Sequence, residues 1–300
     1  MWFLVFICVS TVVGFPVGPT QHAATPVAAG NLTVTSVGAM LQSASTETLK
    51  VGASSLNDTH NASSPAPGTV ALVLNPPQTD SAETLEELQE DMMVQEGDIL
   101  LPEDRNAVKT IWSDATVYFT ISKELAHRVS EIYAALKMIA DATCIRFRKH
   151  TNELNYLKIR DGIGCASYVG CRGGVQSVFF GPKCSVGNLC HEIIHALGFH
   201  HEHTRTDRDQ YITVNWQSIK PKSKRNFEVK HGDTLNLPYD LNSIMHYGQY
   251  FFSVDGSPTV LPRQSGVKMG QRTHLSQLDV QRLNKLYHCA ERMKWKNILG

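Results

Sequence analysis

The residues best suited to chemistry lie in one string, His191-Glu192-Ile193-Ile194-His195-Ala196-Leu197-Gly198-Phe199-His200-His201. On a helix, positions i and i+4 share a face about 6 Å apart. The imidazoles of His191 and His195 can therefore reach one metal ion at the ~2.0–2.1 Å usual for zinc. Glu192 sits one step round the helix, poorly placed to ligate that ion but able to reach a water bound to it. Gly198 can adopt positive φ and end the helix in a sharp turn, which lets the chain bring His201 back as a third ligand. Three protein ligands plus water is the catalytic arrangement of zinc, whereas structural sites are closed. A helix with mere surface histidines would not need the glycine. Cys190 points about 100° away from His191 on such a helix, so it reads as a disulfide cysteine rather than a zinc thiolate.

Those side chains need a folded domain to hold them, and from about residue 106 the composition becomes that of one. Ala115–Ile121 reads as a strand with Val117, Phe119 and Ile121 on one face. Residues 123–142 form an amphipathic helix with the stripe Leu125, Val129, Ile132, Leu136, Ile139, and Ser122 is its expected cap. Short strands are expected at 143–148, 156–160 and 175–180, and a helix at 186–198. A last helix runs from Ser276, with Asp279 at the capping-box position, to Cys289. A sheet with two long helices followed by a loop-rich half is an α+β layout.

The longer string His191–Asp209, HEIIHALGFHHEHTRTDRD, resembles the signature of the astacin family of metzincin peptidases. Ser243-Ile244-Met245-His246-Tyr247 resembles that family's Met-turn. The similarity covers roughly 106–289 and looks greatest toward the fish hatching-enzyme and nephrosin-like group. It implies a metzincin catalytic domain: a twisted, mostly parallel sheet with an antiparallel edge strand and two long helices, then a loop-rich half with a final helix. It further implies one Zn2+ per chain held by His191, His195 and His201, with Glu192 as general base in peptide hydrolysis. Met245 would form an apolar floor beneath the histidines. Tyr247 would be an extra zinc ligand of the resting enzyme that swings away to bond the oxyanion. Glu202 would bind the amino terminus freed by activation, and His200 stands where the family usually has Tyr. The implied disulfides are Cys144–Cys289 and Cys165–Cys184, which leaves Cys171–Cys190 as a third pair. An extended substrate needs an edge strand; Val175–Phe180 reads as that edge or, equally, as a buried core strand.

The N-terminal third differs in kind. MWFLVFICVSTVVG is too short an apolar run to span a bilayer and reads as a signal peptide, residues 1–14, cleaved before Phe15. That implies a secreted protein, in which the six cysteines left after Cys8 form disulfides. Residues 15–105 carry two Lys/Arg against twelve Asp/Glu and are rich in Ala, Thr, Ser and Pro. They read as an acidic, largely disordered pro-segment with sequons at Asn31, Asn57 and Asn61 and a short acidic helix over 81–93. It holds no cysteine, so latency requires a carboxylate. Gln95-Glu96-Gly97-Asp98 resembles the astacin pro-segment motif in which an aspartate blocks the zinc, with Gln95 where the family has Phe; taken alone, Asp98 is a turn aspartate. Removal is expected after Arg105, by a trypsin-like protease, with Asn106 as the new terminus and 290–300 as a short basic tail. A net charge of zero suggests no dominant nucleic-acid or membrane partner, and a monomer is expected. The cluster Lys220, Lys222, Lys224, Arg225 points to acidic or glycoprotein targets, or is a solvated face. The function implied is a secreted zinc endopeptidase made as a zymogen, with egg-envelope or other extracellular glycoproteins as candidate substrates. The alternatives are a peptidase-fold binding protein, which would typically lack Glu192 or a ligand, and another zinc hydrolase such as an amidase.

Overall fold

Alternating apolar residues build a sheet with one buried face. In β3 (Thr116–Ile121) Val117 and Phe119 are buried, in β5 (Tyr156–Arg160) Leu157 and Ile159, and in β7 (Val175–Phe180) Val178 and Phe180. The register sets Phe119 opposite Leu157 and Ile159 opposite Val178, so these side chains share a face. Helices α1 (Val129–Ala142) and α2 (Val186–Ala196) close over it with Ile132, Leu136, Ile139, Leu189 and Ile193. This computed structural model describes residues 81–85, 94–101 and 111–299, with backbone alone over 295–299. The expected signal peptide, the sequons and the Arg105–Asn106 bond lie outside the described residues.

β4 (Arg146–Lys149), β3, β5 and β7 are mutually parallel, and β6 (Cys165–Ser167) runs antiparallel to β7. Two short strands from the N-terminal third extend the sheet: β1 (Val94–Gln95) and β2 (Ile99–Leu100) form a hairpin, and β2 pairs with β6 in parallel, giving the order β1-β2-β6-β7-β5-β3-β4. Val175–Phe180 thus has a partner on each side and is an interior strand. The edge of the domain proper is β6, too short for an alternation signal.

The C-terminal half is mostly irregular around a second cluster of Ile212, Phe227, Tyr247, Phe252 and Val260, with β8 (Ile212–Val214) paired to β9 (Val260–Pro262). Helix α3 (Gln277–Leu286) starts with the expected box: Asp279 N donates to Ser276 Oγ and Ser276 N to Asp279 Oδ2. A further helix, α4 (Cys289–Leu299), occupies what was expected to be a plain basic tail.

Other expectations are corrected. The 123–142 helix is 3-10 over Lys123–Arg128 before α1 begins, and Ser122 makes no side-chain cap bond to it. Residues 81–85 are a turn rather than the start of a helix, because the Thr84 hydroxyl bonds the Ser81 backbone instead: Ser81 N donates to Thr84 Oγ1 at 3.0 Å and Thr84 Oγ1 to Ser81 O at 3.3 Å. Residues 86–93 lie outside the described residues. Disulfides join Cys144 to Cys289 and Cys165 to Cys184. Cys171 and Cys190 are buried thiols and form no third bridge. Gly170 N donates to His195 O at the far end of α2, whereas Cys190 lies five residues nearer the N-terminus, about 7 Å along the axis. No helix among the described residues is long and apolar enough to cross a membrane.

Candidate metal centre and cleft

Helix α2 carries the centre and is fixed at both ends. At its start Ser185 and Asn188 cap each other: Ser185 N donates to Asn188 Oδ1 at 2.8 Å and Asn188 N to Ser185 Oγ at 3.2 Å. At its end Gly198 adopts φ 117°, Gly198 N donates to His195 O and Phe199 N to Ile194 O. That is a Schellman motif, which satisfies the last carbonyls and reverses the chain toward His201. The carbonyls of Ala196 and Leu197 accept from Trp112 Nε1 at 2.8 Å and Tyr287 Oη at 3.0 Å. The turn Ser243–Tyr247 is held from the other side by Asp279, which accepts from Ser243 Oγ at 2.6 Å and Ile244 N at 2.9 Å. Burial pushes the Asp279 carboxyl up, against these donors.

The histidine rings are oriented by these same elements. His191 Nδ1 meets Ile244 O at 2.7 Å, His195 Nδ1 meets Phe199 O at 2.7 Å and His201 Nδ1 meets Glu96 Oε2 at 2.9 Å. A neutral imidazole that donates from Nδ1 presents a bare lone pair at Nε2. The three Nε2 atoms converge: His191 lies 3.0 Å from His195 and 3.2 Å from His201. Asp98 completes the cluster at 3.3 Å from His191, 3.5 Å from His195 and 3.3 Å from His201. All four residues are at most 1% exposed, and both Asp98 oxygens lack a hydrogen-bond donor. Four inward lone-pair donors so close repel one another unless a cation sits among them. A tetrahedral ion with bonds of ~2.0–2.1 Å separates its ligand atoms by about 3.3 Å, and three nitrogens plus one carboxylate oxygen suit zinc. The residues present fit that ion.

Glu192 is fully buried beside the cluster, and both its oxygens lack a hydrogen-bond partner. Burial, with the charges of Asp98 and Glu83 added, holds its carboxyl well above the usual range. Tyr247 stands edge-on to His201, ring centroids 4.8 Å apart, and stacks on His203 at 3.6 Å. Its hydroxyl donates to Glu96 O at 2.5 Å rather than reaching the histidines. Met245 is buried in the main core, its carbonyl accepting from Glu202 N at 3.0 Å, so its turn touches both arms of the histidine string. Glu202 faces away from the cluster, bound by Arg282 at 2.7 Å, Arg205 at 3.3 Å and Asp240 N at 2.8 Å. Its carboxyl is raised to about 7 by burial, which the two arginines only partly offset.

The model of the Astacin peptidase family matches residues 104–288. The chain belongs to the astacin family, whose members are zinc metalloendopeptidases. High choriolytic enzyme 1 of Oryzias latipes is 39% identical over 214 residues, 66% of this chain and 79% of that protein. The zinc metalloproteinase nas-14 of Caenorhabditis elegans is 35% identical over 237 residues, 74% of this chain, which spans only 47% of that relative. Among solved structures, the hatching-enzyme zinc protease High choriolytic enzyme 1 from medaka superposes with TM-score 0.58 at 36% identity, covering 64% of this chain and all of that one.

Glu83, Glu96 and Arg272 also line this centre, and no pattern in the sequence marked them. Glu96 lies two residues before Asp98 in the string Gln95-Glu96-Gly97-Asp98, and its position beside Gly97 was the available signal. Glu83 sits in a run of acids with nothing to distinguish it.

Proposed function

We propose that this chain is the precursor of a secreted zinc endopeptidase, with His191, His195 and His201 as metal ligands and Glu192 as general base. The observation that carries the reading is the convergence of three Nε2 lone pairs on one point with a buried, unpartnered carboxylate beside them. Zinc bound there would lower the pKa of a water toward ~7 and polarise the scissile carbonyl. Glu192, one residue from His191, is placed to act as general base, and with zinc bound it would accept a proton from the attacking water and return it to the leaving amine. Tyr247 turns its hydroxyl from Glu96 toward the developing oxyanion. An extended substrate pairs with β6, the edge that β2 now covers.

Residues 15–105 act as the inhibitory pro-segment. Asp98 lies against the three histidines and would occupy, with zinc bound, the place an attacking water needs, and Glu96 holds both His201 and the Tyr247 hydroxyl. The tip of this hairpin requires Gly97: at φ 82°, an added Cβ would lie 2.7 Å from the Phe252 ring and 2.9 Å from Glu83 O. Cleavage after Arg105 by a trypsin-like protease, with loss of the signal peptide, then yields a monomeric enzyme on 106–289, and Glu202 receives the Asn106 amino group. The substrates are extracellular proteins, egg-envelope glycoproteins among the candidates, which follows the named activity of the medaka relatives.

The test is Glu192→Gln in the processed enzyme. Turnover of a peptide substrate should fall by about 10²–10⁴ with zinc content unchanged, and chelation should abolish turnover in the parent until zinc is restored. A Glu192→Gln enzyme working near the parental rate refutes the assignment.

A further inference from the structure

Glu83 has no part in that mechanism, yet its carboxylate is inside the cleft. The residue is 1% exposed, and its carboxylate, with Asp98, His191 and Glu192, forms a group whose ligand atoms all lie within 4.8 Å of one another. Its two oxygens meet a fork. Arg272 donates from Nε to Oε1 at 2.8 Å and from Nη2 to Oε2 at 2.6 Å, and Asn188 Nδ2 donates to Oε1 at 2.5 Å. Burial alone would raise this carboxyl, and the Arg272 guanidinium overcomes that and holds it below the usual range.

The fork belongs to the domain and is fixed there without Glu83. Arg272 Nη1 donates to His246 O at 3.0 Å and Gln271 O at 3.1 Å. The Arg272 backbone packs so closely on the first turn of α2 that a Cβ at Gly187 would run into its carbonyl. Asn188 is held by the Ser185 capping box of the same turn. On the other side, residues 81–85 dock by their own contacts: Cys165 N donates to Ala82 O at 3.1 Å, and Leu85 packs with Val94, Leu100 and Ala166. Simple filling of this space would not need a buried charge. A bidentate guanidinium–carboxylate pair adds direction and strength that a neutral side chain lacks.

We propose that Glu83 is a second latch, which holds the N-terminal segment in the cleft through the Arg272–Asn188 fork independently of the metal position taken by Asp98. The inference rests on the reading of that segment as inhibitory. The precursor is then closed at two separate points, one carboxylate at the histidines and another at the start of α2. Removing one member of a buried, hydrogen-bonded charge pair weakens an association by about 30-fold or more.

The test uses the full-length precursor at saturating zinc, shown intact by mass, with Glu83→Gln, Glu83→Asp and Asp98→Ala forms assayed on a quenched fluorescent peptide before and after processing. The Glu83→Gln precursor should hydrolyse the peptide about 30-fold faster than the parent precursor, with Glu83→Asp intermediate. After processing all Glu83 forms should match the parent, because residue 83 has been removed. An intact Glu83→Gln precursor within about twofold of the parent, yielding fully active processed enzyme, overturns the second latch. Should Glu83→Gln yield no active processed enzyme, Glu83→Asp decides, and a silent Glu83→Asp precursor overturns it equally. Silence of the Asp98→Ala precursor alone would instead remove the Asp98 blockade and leave Glu83 as the operative latch.

Discussion

At the scale of single residues, the site depends on where hydrogens and lone pairs point. Carbonyl and carboxylate oxygens accept a hydrogen bond from the Nδ1–H of each candidate zinc-binding histidine, so the Nε2 atoms face inward as acceptors. Tyr247 is buried among aromatic rings, with burial pushing its hydroxyl well above the usual range. It is therefore a neutral donor, suited to an oxyanion. Tyr247→Phe should lower kcat about 10²–10³-fold with KM nearly unchanged, the pattern for loss of a transition-state contact. Steady-state kinetics with a parallel zinc determination would check this. An equal loss in KM alone would assign Tyr247 to substrate binding.

At the scale of elements, α2 works because both its ends are tied. Gly198 at φ 117° supports the turn that delivers His201, and a side chain there would meet Leu286 at 3.4 Å. Gly198→Ala should destabilise the domain by about 1–2 kcal/mol and weaken zinc affinity, as read by denaturant titration and competition with a chromogenic chelator. Helix α1 is tied in another way. Arg128 bonds Glu131 at 2.9 and 2.6 Å, reaches the carbonyls of Gly181 and Cys184, and lies 3.7 Å over Phe180. The hydrogen bond from Arg128 lowers the Glu131 carboxyl. A depressed folded value means that the stabilisation is present above the unfolded Glu value and is lost as pH falls through the folded one. Glu131→Gln should therefore cost under about 1 kcal/mol at neutral pH, and the difference should vanish well below pH ~4. Chemical denaturation at the two pH values reads it directly. A difference that persisted in acid would mean that packing, not charge, is what Glu131 contributes.

At the scale of the whole molecule, the centre joins distant parts of the chain. Ligand candidates come from α2, from the loop after it and from the N-terminal hairpin, and their orienting groups come from the Ser243 turn and Asp279 of α3. An ion bound only by the folded arrangement stabilises it by mass action, about 4 kcal/mol at a thousandfold excess over Kd. Chelation should accordingly lower the thermal midpoint of the precursor and restored zinc should recover it, by calorimetry. An unchanged midpoint would mean that the histidines are held without the metal. The two disulfides tie other distant points, β6 to the segment before α2 and the end of α1 to the start of α4.

What could be read from the chain alone is what short-range geometry dictates. His191, His195, Gly198 and His201 lie within one helix and its terminating turn, so helical periodicity and the freedom of glycine suffice to place them. The buried faces of α1 and β3 follow from periodicity in the same way. The structure decided whatever depends on contacts across long separations. Val175–Phe180 became interior because β6 covers its flank. Cys171 and Cys190 are both buried yet unbridged, because a pairing left over by elimination carries no information on where the fold places the two side chains. Residues 81–85 gave up helix for a turn that delivers Glu83 to Arg272, 189 residues away. No local pattern marks one acid among its neighbours as the one that will meet a guanidinium, since that meeting is set by the packing of the finished fold.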